Sequence, residues 1–217
     1  TGYRPAIVTL PGGLIIDLSF ILGFVGTMLA FALFVCTAMI YACLRFLREW
    51  HSPLTVVNYI LMGGASGFTL AAFYAALAAP SQTNFFVSWA IIITFLAFAG
   101  RSASLARNAR LKPKSTIQTA IGMKHPYIVQ RSMGSMGGSF NTREFFHGKS
   151  EAFLRTIKPA FLIFAFVAPL ILLAPFTSSP VLLGIAFVLQ YLGLLAERWF
   201  FFAQANHPQN LYYQTIG

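Results

Sequence analysis

The stretch from residue 54 to residue 79, LTVVNYILMGGASGFTLAAFYAALAA, contains no charged side chain. As an α-helix it would extend for about 39 Å at about 1.5 Å per residue, whereas the hydrocarbon core of a bilayer is about 30 Å thick. A helix also satisfies its own backbone hydrogen bonds, which lipid cannot do. The stretch therefore predicts a transmembrane helix.

Four further apolar segments accompany it, at residues 14–41, 85–100, 160–175 and 181–202. The segments 85–100 and 160–175 are shorter than the usual length of about 20 residues, so we expect them to extend into flanking residues or to lie tilted. Hydrophobic residues make up 57% of the chain and charged residues 9%, whereas soluble domains have about 25% charged residues. These features predict an all-α integral membrane protein, a bundle of about five transmembrane helices in a single polytopic domain, 1–217.

The positive charge is concentrated in one connection between spans. Of the 15 Lys and Arg residues, 11 lie between Arg101 and Lys158, and the connections 80–84 and 176–180 carry no charge. Basic loops remain on the cytoplasmic side of a membrane. We therefore predict that the basic, Gly-rich loop 101–158 and the C-terminus are cytoplasmic, in a bacterial inner membrane. The same distribution argues against nucleic acid as a partner and favours membrane lipid.

The sequence predicts no metal site and no haem. Cys36 and Cys43 are separated by about 10 Å along a helix axis, too far for a disulfide. The chain has no CxxC or CxxCH motif, and all four histidines lie outside the apolar centres of the spans: His51, His125, His147 and His207. Iron–sulfur clusters require thiolates, and a membrane haem requires facing histidines within helices. Any redox metals are therefore expected in partner subunits.

Two sequence patterns concern helix packing. Gly63, Gly67, Ala71 and Ala75 recur every four residues and predict a smooth helix face that another backbone can approach closely. Pro169 lies inside the fourth span. It predicts a kink or local opening, with the freed carbonyl group satisfied by neighbouring groups.

The end of the last span contains a first group of candidate binding residues. Glu197 and Arg198 lie where charge is costly unless it is paired or functional. Helical spacing places Tyr191 on the same face as Arg198, and Gln190 and Glu197 on a neighbouring face. This polar seam could receive a quinone head group, which needs hydrogen-bond donors and a proton relay. The alternative is an interfacial anchor with a local ion pair.

A second group, Trp50, His51 and Tyr59, lies where the first span meets the second. Quinone sites combine an aromatic wall with a few polar groups in an otherwise apolar pocket, and this connection offers both. The aromatic belt that marks membrane interfaces explains Trp50 and Tyr59 equally well. Trp50, His51 and Tyr59 are therefore candidates for a quinone site, and the interfacial alternative stays open.

The Gly-rich part of the basic loop is a candidate docking surface for a partner subunit. Long loops are usually functional or disordered, and aromatic and Arg side chains commonly anchor interfaces. The predicted docking residues are Arg131, Asn141, Arg143, Glu144, Phe145, Phe146 and His147. For the more basic half of the loop, around Lys112 and Lys114, binding to lipid head groups is the favoured alternative.

Three long stretches resemble the membrane anchor of the dimethyl sulfoxide reductase family. They are MIYACLRFLREWHSPLTVVNYILMGGASGFTLA (39–71), QRSMGSMGGSFNTREFFHG (130–148) and LGLLAERWFFFAQANHPQNLYYQ (192–214), joined by RNARLKPKSTIQTAIG (107–122). The resemblance implies a quinone ligand, menaquinone or ubiquinone, because the family's anchor exchanges electrons with the quinone pool. It also implies two partners, a molybdopterin catalytic subunit and a four-cluster iron–sulfur subunit. The anchor itself performs no substrate chemistry.

The resemblance also implies about eight spans in a full-length member, so that the first three would be missing here, together with a quinone-site histidine. The loop SFNTREFFHG and the tail ERWFFFAQANHPQNLYY are especially similar to one branch, the cytoplasmic sulfite dehydrogenases that pass electrons to quinone. Sulfite oxidation is therefore favoured over sulfoxide reduction.

Two other functions remain open. One is a secondary transporter, although no paired half with a matching broken helix is visible. The other is a structural tether without a quinone site.

Overall fold

The computed structural model describes residues 8–9, 15–112, 116–128, 145, 149–175 and 178–205. Its helices are α1 (Leu18–Ala42), α2 (Pro53–Ala78), α3 (Thr83–Ala109), α4 (Ile117–Ile121), α5 (Glu151–Leu162), α6 (Ala168–Leu173) and α7 (Pro180–Ala203). A 3-10 turn, Pro80–Gln82, leads into α3, and a π-helical segment, Ile163–Val167, joins α5 to α6. Two short strands, β1 (Val8–Thr9) and β2 (Ile15–Ile16), pair antiparallel.

Five helical stretches are long and apolar enough to cross a membrane. They are Leu18–Ala42, Pro53–Ala78, Pro80–Ala109, Glu151–Leu173 and Pro180–Ala203. The prediction of an all-α integral membrane protein with about five spans is therefore confirmed.

The third and fourth spans are longer than their apolar segments, so the bounds predicted for the basic loop, 101–158, are wrong at both ends. Helix α3 continues to Ala109 and α5 already begins at Glu151, with the Ser150 hydroxyl accepting a hydrogen bond from the amide of Phe153. A charged residue need not end a membrane helix if its charge is paired inside the protein or reaches the interface. Arg101 is paired in this way.

The centre of the bundle is α2, which packs against α1, α3 and α7. In one half of the bundle the core consists of apolar side chains: Ala72, Val87, Ala90, Leu173, Leu183 and Ala186. We call this the apolar half. The other half contains Arg101, Glu197 and Arg198 beside a second apolar core that includes Met62 and Phe161. We call it the charged half.

Close backbone approach occurs at a glycine outside the predicted stripe. A Cβ on Gly67 would meet nothing within 4 Å, and one on Gly63 would meet the ring of Phe34 from α1 rather than backbone. A Cβ on Gly193, in contrast, would overlap the backbone of Ala165 in the π-helical segment. Among the described glycines, Gly193 on α7 is therefore the one at which another helical backbone comes too close for a Cβ.

The prediction for Pro169 is confirmed. The π-helical segment ends two residues before Pro169, and proline has no amide hydrogen to donate to the carbonyl of Ala165. The side-chain amide of Gln190 donates to this carbonyl at 3.4 Å and to the Thr94 hydroxyl at 3.1 Å. A side chain of α7 therefore satisfies the carbonyl that the proline leaves free.

Candidate functional site

Three charged side chains form a buried cluster between α3 and α7. The Nε of Arg101 lies 2.7 Å from Oε1 of Glu197, and the Nε of Arg198 donates to Oε2 of Glu197 at 2.6 Å. The side chains of Arg101 and Glu197 are 3% and 0% exposed, whereas that of Arg198 is 27% exposed. Glu197 is thus shared by two cations, one fully enclosed and one reaching outward.

Arg101 is the functional candidate that sequence reasoning missed, because it was assigned to the loop. The buried positions of α3 include Ala90, Thr94, Ala97, Arg101 and Ser104, which recur every three or four residues. This is the spacing of one helix face. Continuing the face past the apolar segment would have placed Arg101 inside the bundle, but the sequence does not show that its partner is Glu197, 96 residues later.

The charged cluster adjoins a small polar cavity. The amide of Asn58 on α2 donates to the Ser104 hydroxyl at 2.8 Å and fits against Gly100, where a Cβ would collide with its Oδ1. Behind it lies a cavity of about 10 Å³ lined by Glu49, Thr55, Asn58, Tyr59, Arg101, Ser104, Arg198 and Phe201. Among the described residues, no protein group bonds Oδ1 of Asn58, Nη2 of Arg101 or Nη1 of Arg198.

An aromatic cluster supports Arg198. Its guanidinium carbon lies 4.3 Å from the ring centre of Tyr59 and 4.7 Å from that of Phe201, distances typical of cation–π contacts. Trp50 stacks on Phe201 with ring centres 5.2 Å apart and donates its indole N–H to the Phe201 carbonyl at 2.9 Å. Tyr41 from α1 contacts both Trp50 and Tyr59. The rings therefore hold the guanidinium in one position.

A larger groove lies on the other side of Tyr59 and Arg198, between α1, α2 and α7. Its volume is about 380 Å³, and its lining residues are Leu33, Phe34, Thr37, Tyr59, Met62, Gly63, Ser66, Tyr191, Leu194, Leu195 and Arg198. The lining is mainly apolar, and Leu33, Tyr191 and Leu195 are exposed at its outer edge. Arg198 contributes a cationic donor to this apolar groove.

The predicted quinone residues occupy three different environments. Tyr59, Tyr191 and Arg198 line the groove. Glu197 is buried behind Arg198, and Trp50 is 4% exposed inside the aromatic cluster. His51 is exposed, and its Nδ1 lies 2.5 Å from the carbonyl of Ala42 at the end of α1. The structure thus brings Tyr59, Tyr191 and Arg198 together, and quinone binding by them stays a prediction.

Most of the predicted docking surface lies outside the described residues. These residues are Arg131, Asn141, Arg143, Glu144, Phe146 and His147. Phe145 is described: its ring centre lies 5.6 Å from that of Trp199 and 6.0 Å from that of Phe202. Phe145 therefore contacts the last turns of α7, next to Glu197 and Arg198. Within the described ranges, no three His, Cys, Asp or Glu side chains come together as a metal site.

The fold and the groove define a class, a polytopic helical membrane protein with a ligand-sized groove beside a buried charged cluster. The chain belongs to the family described as DMSO reductase anchor subunit (DmsC), which it matches over residues 13–211. This confirms the resemblance inferred from the sequence motifs.

One relative is a sulfite dehydrogenase subunit of Allochromatium vinosum. It is 53% identical to this chain over 204 residues, which cover 93% of the chain and 63% of the relative. The chain therefore spans a little under two thirds of the length of this curated relative. No solved structure matches the chain.

Proposed function

We propose that this chain is the quinone-binding part of the anchor subunit of a sulfite dehydrogenase or DMSO reductase type complex. It passes electrons between the quinone pool and an iron–sulfur partner subunit, which in turn serves a molybdopterin catalytic subunit. The name of the relative favours sulfite dehydrogenase. The basic connection after α3 and the C-terminus lie on the cytoplasmic side of a bacterial inner membrane.

The observation that carries this proposal is the position of Arg198 in the groove. A quinone has two carbonyl acceptors on a flat apolar ring with an apolar tail, so it needs a few donors in an otherwise apolar site. Arg198 and the Tyr59 hydroxyl supply donors, and the lining of the groove between Leu33 and Leu195 suits the ring and the first part of the tail. The volume of about 380 Å³ falls within the range of small-molecule sites, about 300–1,000 Å³.

The charge of Arg198 also suits redox chemistry. A quinone that accepts one electron becomes a semiquinone anion. A nearby guanidinium stabilises this negative charge more strongly in an apolar environment than in water. Glu197 and the rings of Tyr59 and Phe201 hold the guanidinium in place before the charge develops. The groove would therefore act on the quinone electrostatically, while the redox centres that exchange electrons with it belong to the partner.

The contact of Phe145 with Trp199 and Phe202 supports docking of that partner at the same end of α7. A partner bound there would lie close to the aromatic cluster around Arg198. Docking by Phe145 and its predicted neighbours in sequence belongs to the proposal.

The experiment is a groove-filling substitution, Ser66→Leu, in the full-length anchor within its native complex. The Ser66 hydroxyl bonds only carbonyls of its own helix, at Met62 and Gly63, among the described residues, so its loss removes no contact between helices. The added side chain would occupy the groove. We expect the KM for a quinone analogue to rise about 10-fold or more, a change of about 1.4 kcal/mol, with normal assembly.

The matched control is Ser88→Leu, because the Ser88 hydroxyl likewise bonds its own helix, at the carbonyl of Asn84, and does not line the groove. If both variants leave quinone turnover unchanged, the groove is not the quinone site. Loss of assembly in Ser66→Leu with unchanged turnover per complex would favour the structural tether. If the wild-type complex contained no iron–sulfur partner and had no quinone-dependent activity, the secondary-transporter hypothesis would again be favoured.

A further inference from the structure

The small polar cavity and the groove share a wall. Tyr59 and Arg198 line both spaces, with the groove on one side and the cavity on the other. The groove is otherwise mainly apolar, whereas the cavity is lined largely by polar side chains from α2, α3, α7 and the connection before α2. Any polar ligand in the cavity therefore lies one side chain away from a ligand in the groove.

The size and the polar lining of the cavity suit a water molecule as its ligand. Its volume of about 10 Å³ is about that of one water-sized probe. Three atoms on its lining residues lack a protein partner within the described part of the chain, the acceptor Oδ1 of Asn58 and the donors Nη2 of Arg101 and Nη1 of Arg198. Asn58 and Arg101 are 4% and 2% exposed. Buried water molecules typically satisfy two to four such groups.

Glu49 gives this cavity a titratable group toward the aqueous end of the bundle. It lies in the connection between α1 and α2, lines the cavity and is half-buried. The side-chain amide of Asn108 on α3 donates to its carbonyl oxygen at 3.4 Å, and Arg107 donates to the carbonyls of Arg48 and His51 on either side. The connection is therefore held against the end of α3.

Charged and titratable groups lie on each of the elements around the cavity. They are Arg101 and Arg107 from α3, Glu197 and Arg198 from α7, and the phenol of Tyr59 from α2, with Arg48 and His51 beside Glu49 in the chain. Glu197 is already ion-paired with both arginines of the buried cluster. Of the two carboxylates, Glu49 is therefore the one without an ion pair in the described structure.

We propose that the cavity binds water and carries protons between the aqueous phase and the quinone, with Glu49 as the exchanging carboxyl group. This inference rests on the proposed function. Reduction of a quinone takes two electrons from the iron–sulfur partner and two protons, and oxidation of the quinol returns both. One of these protons passes from the Tyr59 hydroxyl to one quinone oxygen, and the other quinone oxygen takes the second proton from the aqueous phase by a route outside the cavity. Tyr59 then takes a proton from a water molecule in the cavity. This water takes a proton from Glu49, and Glu49 takes one from the aqueous phase.

The test is Glu49→Gln in the full-length anchor within its complex in membrane vesicles. Glutamine keeps the size and shape of the side chain but exchanges no proton. We expect the kcat of quinone turnover to fall at least about 10-fold, with an unchanged KM and a flattened pH profile. Formate, a small weak acid, should restore part of the lost rate, because it can deliver the proton that the glutamine cannot.

The matched control is Glu151→Gln, an exposed carboxylate on α5 that pairs with Arg155 and lies outside both cavities. Its turnover and pH profile should equal those of the wild type. A Glu49→Gln complex with wild-type kcat and pH profile would overturn the proton site while leaving the quinone groove intact. A lower kcat that formate does not restore would show a structural role of Glu49 and would also overturn it.

Discussion

The apolar half and the charged half of the bundle are built from the same helices by different means. In the apolar half, Ala72, Val87 and Leu183 are each completely buried, and no charge is present in that core. In the charged half, α3 and α7 bury Arg101 and Glu197 against each other. Membrane helices associate well by close packing of small and apolar residues. The charged half therefore contains groups that the fold does not require.

The grooves of the two halves also differ in the polarity of their lining. The apolar half has a groove of about 510 Å³ between α2 and α7, lined by residues such as Phe73, Leu77, Val181 and Val188. The groove of the charged half is smaller, about 380 Å³, but Tyr59 and Arg198 line it. Apolar volume alone suits a lipid chain, whereas donors at one end of an apolar space provide specific recognition. The difference in chemistry, rather than in size, identifies the candidate site.

The largest expected effect tests the need for the buried charge balance. Glu197→Gln leaves the buried Arg101 and the partly exposed Arg198 without a counter-charge, so the free energy of unfolding should fall by about 3–5 kcal/mol. Unfolding of the purified anchor in mixed micelles measures this change. Glu151→Gln, which breaks only the exposed pair with Arg155, is the control and should have a much smaller effect. Equal losses in both variants would mean that the buried cluster is not structurally special.

A smaller effect tests the close contact between α7 and the π-helical segment. Gly193→Ala places a methyl group against the backbone of Ala165 and should lower the free energy of unfolding by about 1–3 kcal/mol through overpacking. Gly67→Ala provides the comparison, because nothing lies within 4 Å of its Cβ position, and it should leave stability unchanged. If Gly67→Ala were the more harmful variant, the stripe on α2 would be the true packing surface.

The smallest effect concerns the hydrogen bond between Gln190 and Thr94 near the middle of the bundle. Hydrogen bonds between membrane helices contribute about 0.6 kcal/mol on average. A double-mutant cycle with Gln190→Leu and Thr94→Val should show a coupling of about this size. Gln190→Leu alone should be worse than Thr94→Val alone, since it also frees the Ala165 carbonyl. Zero coupling would contradict the geometry.

Much of the fold follows from periodicity and length. The five spans, the disruption at Pro169 and the face shared by Tyr191 and Arg198 all follow from local rules that act over a few helical turns. The span ends were less predictable, since α3 continues through Arg101 and α5 begins before Lys158. A helix can continue past a charged residue when that residue is paired with an opposite charge. Which residue provides the opposite charge depends on how the helices pack.

The candidate site was predicted only in part for the same reason. Tyr59 and Arg198 were predicted as binding residues from their chemistry and membrane depth, but Trp50 and His51, which share that description, lie outside the groove lining. Trp50 packs inside the aromatic cluster and His51 faces outward. Composition places residues at the same depth in the membrane, but it does not state toward which neighbour each side chain points.

The sequence by itself determined that this chain is a helical membrane protein, where the centres of its five spans lie and to which family it belongs. Hydropathy and spacing act locally along the chain, and long motifs are read directly. The tertiary structure alone decided that Arg101 meets Glu197, that Gly193 meets the π-helical segment and that Tyr59 and Arg198 separate a groove from a polar cavity. These contacts join residues far apart in sequence, and only the packing of the helices determines which distant faces come together.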